Sequence, residues 1–399
     1  MVEDCRIDVS SANSISTVIQ TSKLAKCPFA VKSGGHAAFA GGSSVQNGIL
    51  VNLGRLNSVS LSKDRTTASV RPGQTWYDVY QKLDPLGISV VGGREAGVGV
   101  GGLTLGGGIS YFSGRYGWAC DNVQNYEVVL TSGQIVNASP TSNSDLYWAL
   151  HGGAGTNFGV VTRFDLTSFE QGNLWGGSVY YPMNTNVSLA KAFENFNVAA
   201  PTDDFAHLYI AFVYAQQLGG YVGVSGPVYG KPVPNPPIFN ELEAIPKFFD
   251  ATSVANMSTL SVELNQTAYL REVYINPTSN YHLNTSLEFW EFVTLKSLSR
   301  FKTVTFKNMR PPHHRNRQDL RRGTNAIMNV QGLTPAFAFQ PISQNIIKQM
   351  QKNDGNALGI TEDRGPLMSM FSLALISLIA SISSPPLIFF SKPLCLELE

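Results

Sequence analysis

The chain has 399 residues, 43% of them hydrophobic and 14% charged, and a formal net charge of +1. That is enough apolar material for two domains with cores of their own, and near-neutrality argues against a general polyanion such as nucleic acid as partner. Four cysteines, Cys5, Cys27, Cys120 and Cys395, form no CxxC or Cys/His spacing, and the His313-His314 pair has no neighbouring ligands, so no metal site is expected.

The opening MVEDCRIDVS carries no apolar signal segment. Against that, Asn-x-Ser/Thr sites begin at Asn137, Asn186, Asn256, Asn265 and Asn284, and with the Cys5/Cys27 pair they tilt the reading toward an oxidising, secretory compartment. Either the protein is intracellular, or the chain lacks its true beginning.

Residues 12–26 predict an amphipathic helix capped by Ser11 or Asn13. A short strand, Phe29 to Val31, runs straight into Ser33-Gly34-Gly35-His36, which brings backbone N–H groups and one imidazole to one place. Ile49 to Leu53 reads as a strand, and Val59 to Leu61 with Thr67 to Arg71 as a hairpin. Thr75 predicts the cap of a helix over Trp76 to Leu83, followed by a strand at Ile88 to Val91.

The stretch from Val90 to Gly117 holds eleven glycines in 28 residues. Interleaved Val98, Val100, Leu103, Leu105, Ile109 and Tyr111 want burial, which a flexible linker does not offer. Successive backbone N–H groups in such a loop form a nest suited to a phosphate. Gly97 to Gly102 formally matches GxGxxG, with Asp121 about 20 residues on. The context of a nicotinamide dehydrogenase fails, because Gly106-Gly107-Gly108 would break the long helix that motif opens.

Further on, Val123 to Thr131 and Gln134 to Asn137 predict a hairpin, Ser144 to Leu150 a helix, and Phe158 to Phe169 a long strand. After Gly172, strands are expected at Leu174 to Tyr181, His207 to Tyr214 and Tyr221 to Tyr229. Helices are expected at Leu189 to Val198, Asn240 to Asp250 and Leu287 to Leu298. Arg310 to Arg322, with five arginines, two histidines and one acid, reads as a solvated loop. Gly365 to Ser391 carries no charge over 27 residues, long enough for a membrane span. Its six serines before Pro385-Pro386 favour a poorly folded tail.

Four motifs in this order carry a family resemblance: Phe29 to His36, Val98 to Gly108, Arg115-Tyr116-Gly117 with Asp121-Asn122, and Asn157 to Thr162. Over residues 5–309 and 327–368 the chain resembles the FAD-linked oxidases of the vanillyl-alcohol-oxidase superfamily, nearest to secreted fungal berberine-bridge-enzyme-like members. The resemblance implies an α+β fold: a PCMH-type FAD-binding domain of two α+β subdomains (1–171), then a substrate domain with an antiparallel sheet flanked by helices (172–368), and an atypical apolar tail (369–399). It implies FAD joined covalently through the 8α-methyl to His36. Ser33, Gly34, Gly35, Ala37, Val98, Gly101, Gly102 and Thr104 would line the cofactor, with Gly107, Gly108, Gly117, Asn122 and Val161 also near it. Relatives with a second covalent link have cysteine where this chain has Glu95, so one link is expected. Cys5 and Cys27 match a disulfide of similar chains.

The activity implied is hydride transfer from an alcohol, sugar or secondary-metabolite C–H to FAD, with O2 as acceptor and H2O2 as product. The catalytic base is unknown, with tyrosines of the substrate domain as candidates. A secreted monomer acting on a small molecule is expected. Residues 309–326 and 369–399 depart from the family pattern, and read as frame-shifted or intron-derived translation. A catalytically inactive chain from a faulty gene model is therefore the alternative, and a form anchored by its tail a third.

Overall fold

The computed structural model describes residues 5–37, 41–153, 157–215, 218–264, 270–275, 278–280, 333–362 and 367–377. Its first strand, β1 (Cys5–Asp8), leads into α1 (Ala12–Ala25), which starts where Ser11 Oγ accepts from Ser14 N at 3.1 Å. Then follow β2 (Phe29–Lys32) and β3 (Ile49–Asn52). The three strands form a parallel sheet in the order β1-β3-β2, and Ile15, Val18 and Ile19 of α1 are buried with Val51 in one core.

The hairpin of β4 (Val59–Leu61) and β5 (Thr67–Val70) opens a second unit. A capping box starts α2 (Trp76–Leu83): Thr75 N donates to Asp78 Oδ2 at 2.9 Å while Asp78 N donates back to Thr75 Oγ1 at 3.3 Å. Next come β6 (Ile88–Val90), α3 (Val100–Leu105), α4 (Ser113–Tyr116), β7 (Val123–Val129), β8 (Ile135–Ala138), α5 (Ser144–Leu150) and β9 (Val160–Glu170). An antiparallel sheet runs β4-β5-β9-β7-β8, with β6 pairing the far end of β9. Trp76, Tyr80, Tyr126 and Phe164 are fully buried against it.

The second half departs from expectation in an instructive way. Each of the three long strands expected there is two strands in two sheets. They are β10 (Leu174–Gly176) and β11 (Val179–Tyr181); β12 (Ala206–His207) and β13 (Ile210–Ala215), after α6 (Asn186–Ala199); and β14 (Gly220–Ser225) and β15 (Val228–Tyr229). The breaks have local causes. Gly177 sits at φ 149°, outside the range side chains favour, and a Cβ on Gly226 would run into the Tyr209 ring.

The expected helix over Asn240 to Asp250 is only α7 (Asn240–Glu243); Pro246 lacks the N–H that continuation requires, and β16 (Phe249–Asp250) follows. The remaining elements are β17 (Ser253–Ala255), α8 (Met257–Glu263), β18 (Leu270–Ile275), β19 (Thr278–Asn280), β20 (Leu333–Ile342), α9 (Gln344–Gln349) and β21 (Leu367–Ser377).

One antiparallel sheet runs β12-β15-β10-β17, and a larger one β16-β11-β14-β13-β20-β21-β18 with β19 on β21. The small sheet is a shared layer. Leu174 and Val228 join the core around Trp76, while their neighbours Trp175 and Tyr229 join the core around α6. Period-2 alternation sends successive side chains to opposite faces.

Two corrections follow. Residues 367–377, expected in or beside a poorly folded tail, form a strand paired on both sides by β18 and β20. A strand with neighbours on both sides suits a nearly continuous uncharged run. The expected Cys5–Cys27 disulfide is not formed, and both thiols are free. Cys5 and Phe29 flank Ile49 from opposite sides, which puts β1 and β2 roughly 10 Å apart, beyond disulfide reach.

The expected helix at Leu287 to Leu298, the basic run at Arg310 to Arg322 and Cys395 lie outside the described residues, as do Asn265 and Asn284. Asn137 is exposed, and Asn256 caps α8 by accepting from Thr259 N at 3.0 Å. Among the described residues no helix is long and apolar enough to cross a membrane, and no cluster of three or more His, Cys, Asp or Glu side chains is placed to hold a metal.

Candidate functional site

Two glycine loops meet backbone to backbone. The loop after β2 carries Ser33, Gly34, Gly35 and His36; the other runs from β6 into α3. A Cβ on Gly34 would come 2.5 Å from Gly99 N, and one on Gly99 would come 2.6 Å from Gly34 Cα. Side chains are therefore excluded from both positions. Ser33 Oγ fastens the junction by donating to Pro72 O at 2.5 Å and accepting from Gly101 N at 3.2 Å. Gly35 takes φ 83°, with the Lys32 stem beneath it. Gly102 is exposed, and nothing lies within 4 Å of where its Cβ would be. The result is a shallow cradle of backbone with open space over Gly102, which fits a group carrying a pyrophosphate.

His36, half-buried, stands beside this junction with Nε2 3.3 Å from Glu95 Oε1. Ala37 is exposed, and Val98 anchors its loop by accepting from Trp76 N at 3.0 Å. The other expected cofactor residues also make contacts within the protein. Thr104 is fully buried and its hydroxyl donates to Val100 O at 2.8 Å. Gly107 and Gly108 take φ 107° and 84°; a Cβ on the first would meet Trp118, and on the second Leu103. Gly117 (φ 86°) packs on Asp121, while Asn122 Nδ2 donates to Tyr116 O and Trp118 O. Val161 is buried in β9 opposite Val128.

Sequence reasoning missed a cluster next to Glu95. The partly exposed Arg94 donates through Nη1 to Gln340 Oε1 at 2.5 Å and lies 3.4 Å from His207 Nε2. Its guanidinium sits over the Tyr209 ring, 5.7 Å from the centroid. Tyr111 meets His207 edge-on at 5.2 Å. Burial, and secondarily the Arg94 charge, hold the His207 pKa well below its ordinary value, so the ring is neutral. Burial pushes the phenols of Tyr111 and Tyr209 above their usual range, which makes them hydrogen-bond donors and poor bases. Glu263, exposed at the end of α8, has its carboxyl pKa raised by desolvation, partly offset by a hydrogen bond from Ser178 N. The one signal in the sequence was an arginine inside a glycine run. His207 and Gln340 sit in apolar strands and carry no local mark.

A polar open cleft of about 620 Å³, lined by Ser60, Thr67, Arg71, Asn125 and Asp165 among others, lies on the β4-β5-β9-β7 sheet. It shares no residue with the glycine loops or the Arg94 cluster.

A family model described as an FAD binding domain matches residues 4–139. The FAD-dependent monooxygenase tpcD of Cochliobolus heterostrophus is 37% identical over 377 residues, covering 91% of this chain and 67% of that one. The FAD-dependent monooxygenase FUP4 of Fusarium proliferatum is 35% identical over 374 residues, covering 91% and 68%. Among solved structures, 6-hydroxy-D-nicotine oxidase of Arthrobacter nicotinovorans superposes with a TM-score of 0.70 at 18% identity, covering 95% of this chain and 77% of that one. The carbohydrate oxidase of Microdochium nivale gives 0.69 at 20%, covering 96% and 77%.

Proposed function

The chain belongs to the FAD-dependent oxidoreductases built on this FAD binding domain, and from that premise we propose that it oxidises a small molecule at a C–H beside an O–H or N–H, with dioxygen as the final acceptor. The observation that carries the reading is the contact of Gly34 with Gly99, which makes one cradle of two loops with His36 at its edge. Bound FAD supplies the hydride acceptor and the means of passing electrons to dioxygen. The chain's own residues do the rest. Backbone N–H groups of residues 33–37 and of Gly102 would bind the pyrophosphate, with Gly101 held to Ser33 behind them. His36 would be the single covalent tether to the 8α-methyl, since Glu95 stands where a second tether would need cysteine. Tyr111 and Tyr209, both protonated, would orient substrate oxygen or nitrogen by donation.

Relatives named monooxygenases, at 37% and 35% identity, favour a second reading in which one oxygen atom enters the product. Purified protein precipitated in acid is expected to give a yellow pellet and a flavin-fluorescent band on a denaturing gel. His36→Ala should lose that band while the folded variant still takes up flavin. A colourless pellet from folded wild-type protein that carries flavin removes the covalent tether, and folded protein that takes up no flavin removes the FAD reading for this chain. With substrate in hand, peroxide release matching oxygen uptake supports the oxidase reading, whereas label from heavy dioxygen in the product supports the monooxygenase.

A further inference from the structure

His36 and Glu95 belong to different loops and meet because those loops touch. Gly34 stands two residues before His36 and Gly99 four after Glu95, and their backbones are in contact. Glu95 is held by backbone on both sides. Its carbonyl accepts from Val98 N at 3.3 Å. The next residue, Ala96, donates from N to Ser261 O at 2.9 Å and accepts from Tyr77 N at 3.3 Å. Arg94, just before it, is fixed by its bond to Gln340. The carboxylate therefore springs from backbone with little room to move, and its Oε1 lies 3.3 Å from His36 Nε2. The Glu95 side chain is 16% exposed and that of His36 28%. Water competes less for this contact than for the surface ion pairs that contribute almost nothing.

An ionised carboxylate only accepts, so the proton between the two groups belongs to His36 Nε2, and the lone pair of the neutral ring to Nδ1. In that tautomer imidazole is a nucleophile at Nδ1 with a base already bonded to its other nitrogen. We propose that Glu95 is the positioning residue for the covalent tether: it orients the His36 ring, presents Nδ1 to the 8α-methyl and takes the Nε2 proton as the bond forms. This rests on the reading of His36 as the tether. The step balances with dioxygen as oxidant. His36 Nδ1 bonds to the 8α-carbon as a C–H bond there breaks; the methyl proton goes to solvent and the Nε2 proton to Glu95. The electron pair of the broken bond passes through the flavin ring to dioxygen, which takes up two protons and leaves as hydrogen peroxide. Glu95 offsets the positive charge that the ring would otherwise carry as it bonds.

The test is the share of bound flavin that stays with the full chain on acid precipitation, measured on protein purified with its flavin and followed over time in air. Wild type should keep nearly all of it in the pellet. Glu95→Gln keeps the size and an accepting oxygen but loses the carboxylate; it should carry flavin yet release at least about tenfold more of it to the acid supernatant. Glu95→Asp should fall between the two. Glu95→Ala should attach its flavin slowly, and faster with added sodium formate but not with sodium chloride, a rescue that a purely structural ion pair would not show. NMR of the flavin peptide from wild-type protein should place the bond on Nδ1. That measurement decides the matter even where a variant fails to fold, since a bond at Nε2, the nitrogen facing Glu95, overturns the proposal. So does a wild-type attached share in Glu95→Gln, or Glu95→Ala that formate does not accelerate. Folded Glu95→Ala that takes up no flavin also overturns it, because Glu95 would then serve binding rather than attachment. The two readings fail differently. Wild-type protein that carries flavin but releases all of it to acid removes the tether and the role of Glu95 with it. Flavin attached equally in wild type and Glu95→Gln leaves the tether standing and removes only Glu95.

Discussion

A Gly99→Val chain is expected to lose essentially all bound flavin and about 3 kcal/mol of folding stability. The backbone of Gly99 (φ −73°, ψ 146°) is one that valine adopts freely, so the whole cost comes from contact. Its Cβ would stand 2.6 Å from Gly34 Cα and 2.8 Å from Ser33 Oγ. The obstacle is largely backbone, which cannot rotate away, so the loops must part. Gly102→Ala is the matched control. Nothing lies within 4 Å of that Cβ, and an alanine inside α3 should hold or raise stability by up to about 1 kcal/mol. Any loss of flavin there reports crowding of the cofactor itself. Urea unfolding and the ratio of flavin to protein absorbance measure both effects. Wild-type flavin content in folded Gly99→Val would show that the cofactor does not depend on this junction.

Acid is expected to destabilise the protein through His151. The residue is 1% exposed; Nδ1 lies 2.7 Å from Tyr147 O and so carries the proton, while Nε2 is buried without a partner among the described residues. Burial lowers its pKa from 6.5 to about 4, with the bond to Tyr147 O opposing. The folded ring stays neutral where the unfolded one is protonated. Between pH 6.5 and about 4 the unfolded chain therefore binds more protons, and stability falls as pH falls. The shift corresponds to roughly 3 kcal/mol. His207, held neutral by burial and by Arg94, adds in the same direction. Urea unfolding at closely spaced pH values should show a shallower slope through this window for His151→Phe than for wild type. Equal slopes would remove His151 as the cause.

Much of the N-terminal half was legible in the sequence, because its signals are local. Ser11 and Thr75 begin their helices at the expected residues, and the Gly106–Gly108 run stops α3 after six residues. The two-loop cradle was legible for the same reason: glycines concentrated where backbones must touch. In the second half the signals are not local. Leu174 to Tyr181 has the composition of one strand, and only the packing of Gly177 and of Gly226 against Tyr209 divides strands between sheets. Pro246 was a visible helix breaker that the expected helix overlooked. The Arg94 cluster gathers residues 94, 111, 207, 209 and 340, and no spacing rule joins positions so far apart. The Cys5–Cys27 disulfide was implied by the family resemblance alone, and β3, lying between β1 and β2, keeps the two thiols apart.

The sheet of β10, β12, β15 and β17 lends one face to each core. Heat should consequently melt both halves together, in a single calorimetric endotherm, where independently folding domains would give two. The same sharing bears on how the molecule diversifies. His207 closes β12 in the common sheet, and Gln340 lies in β20 of the larger one. Because Gln340 Nε2 lies 3.4 Å from His207 Nε2, a change in the larger sheet at this point is felt in the common sheet, and the two cannot vary independently there.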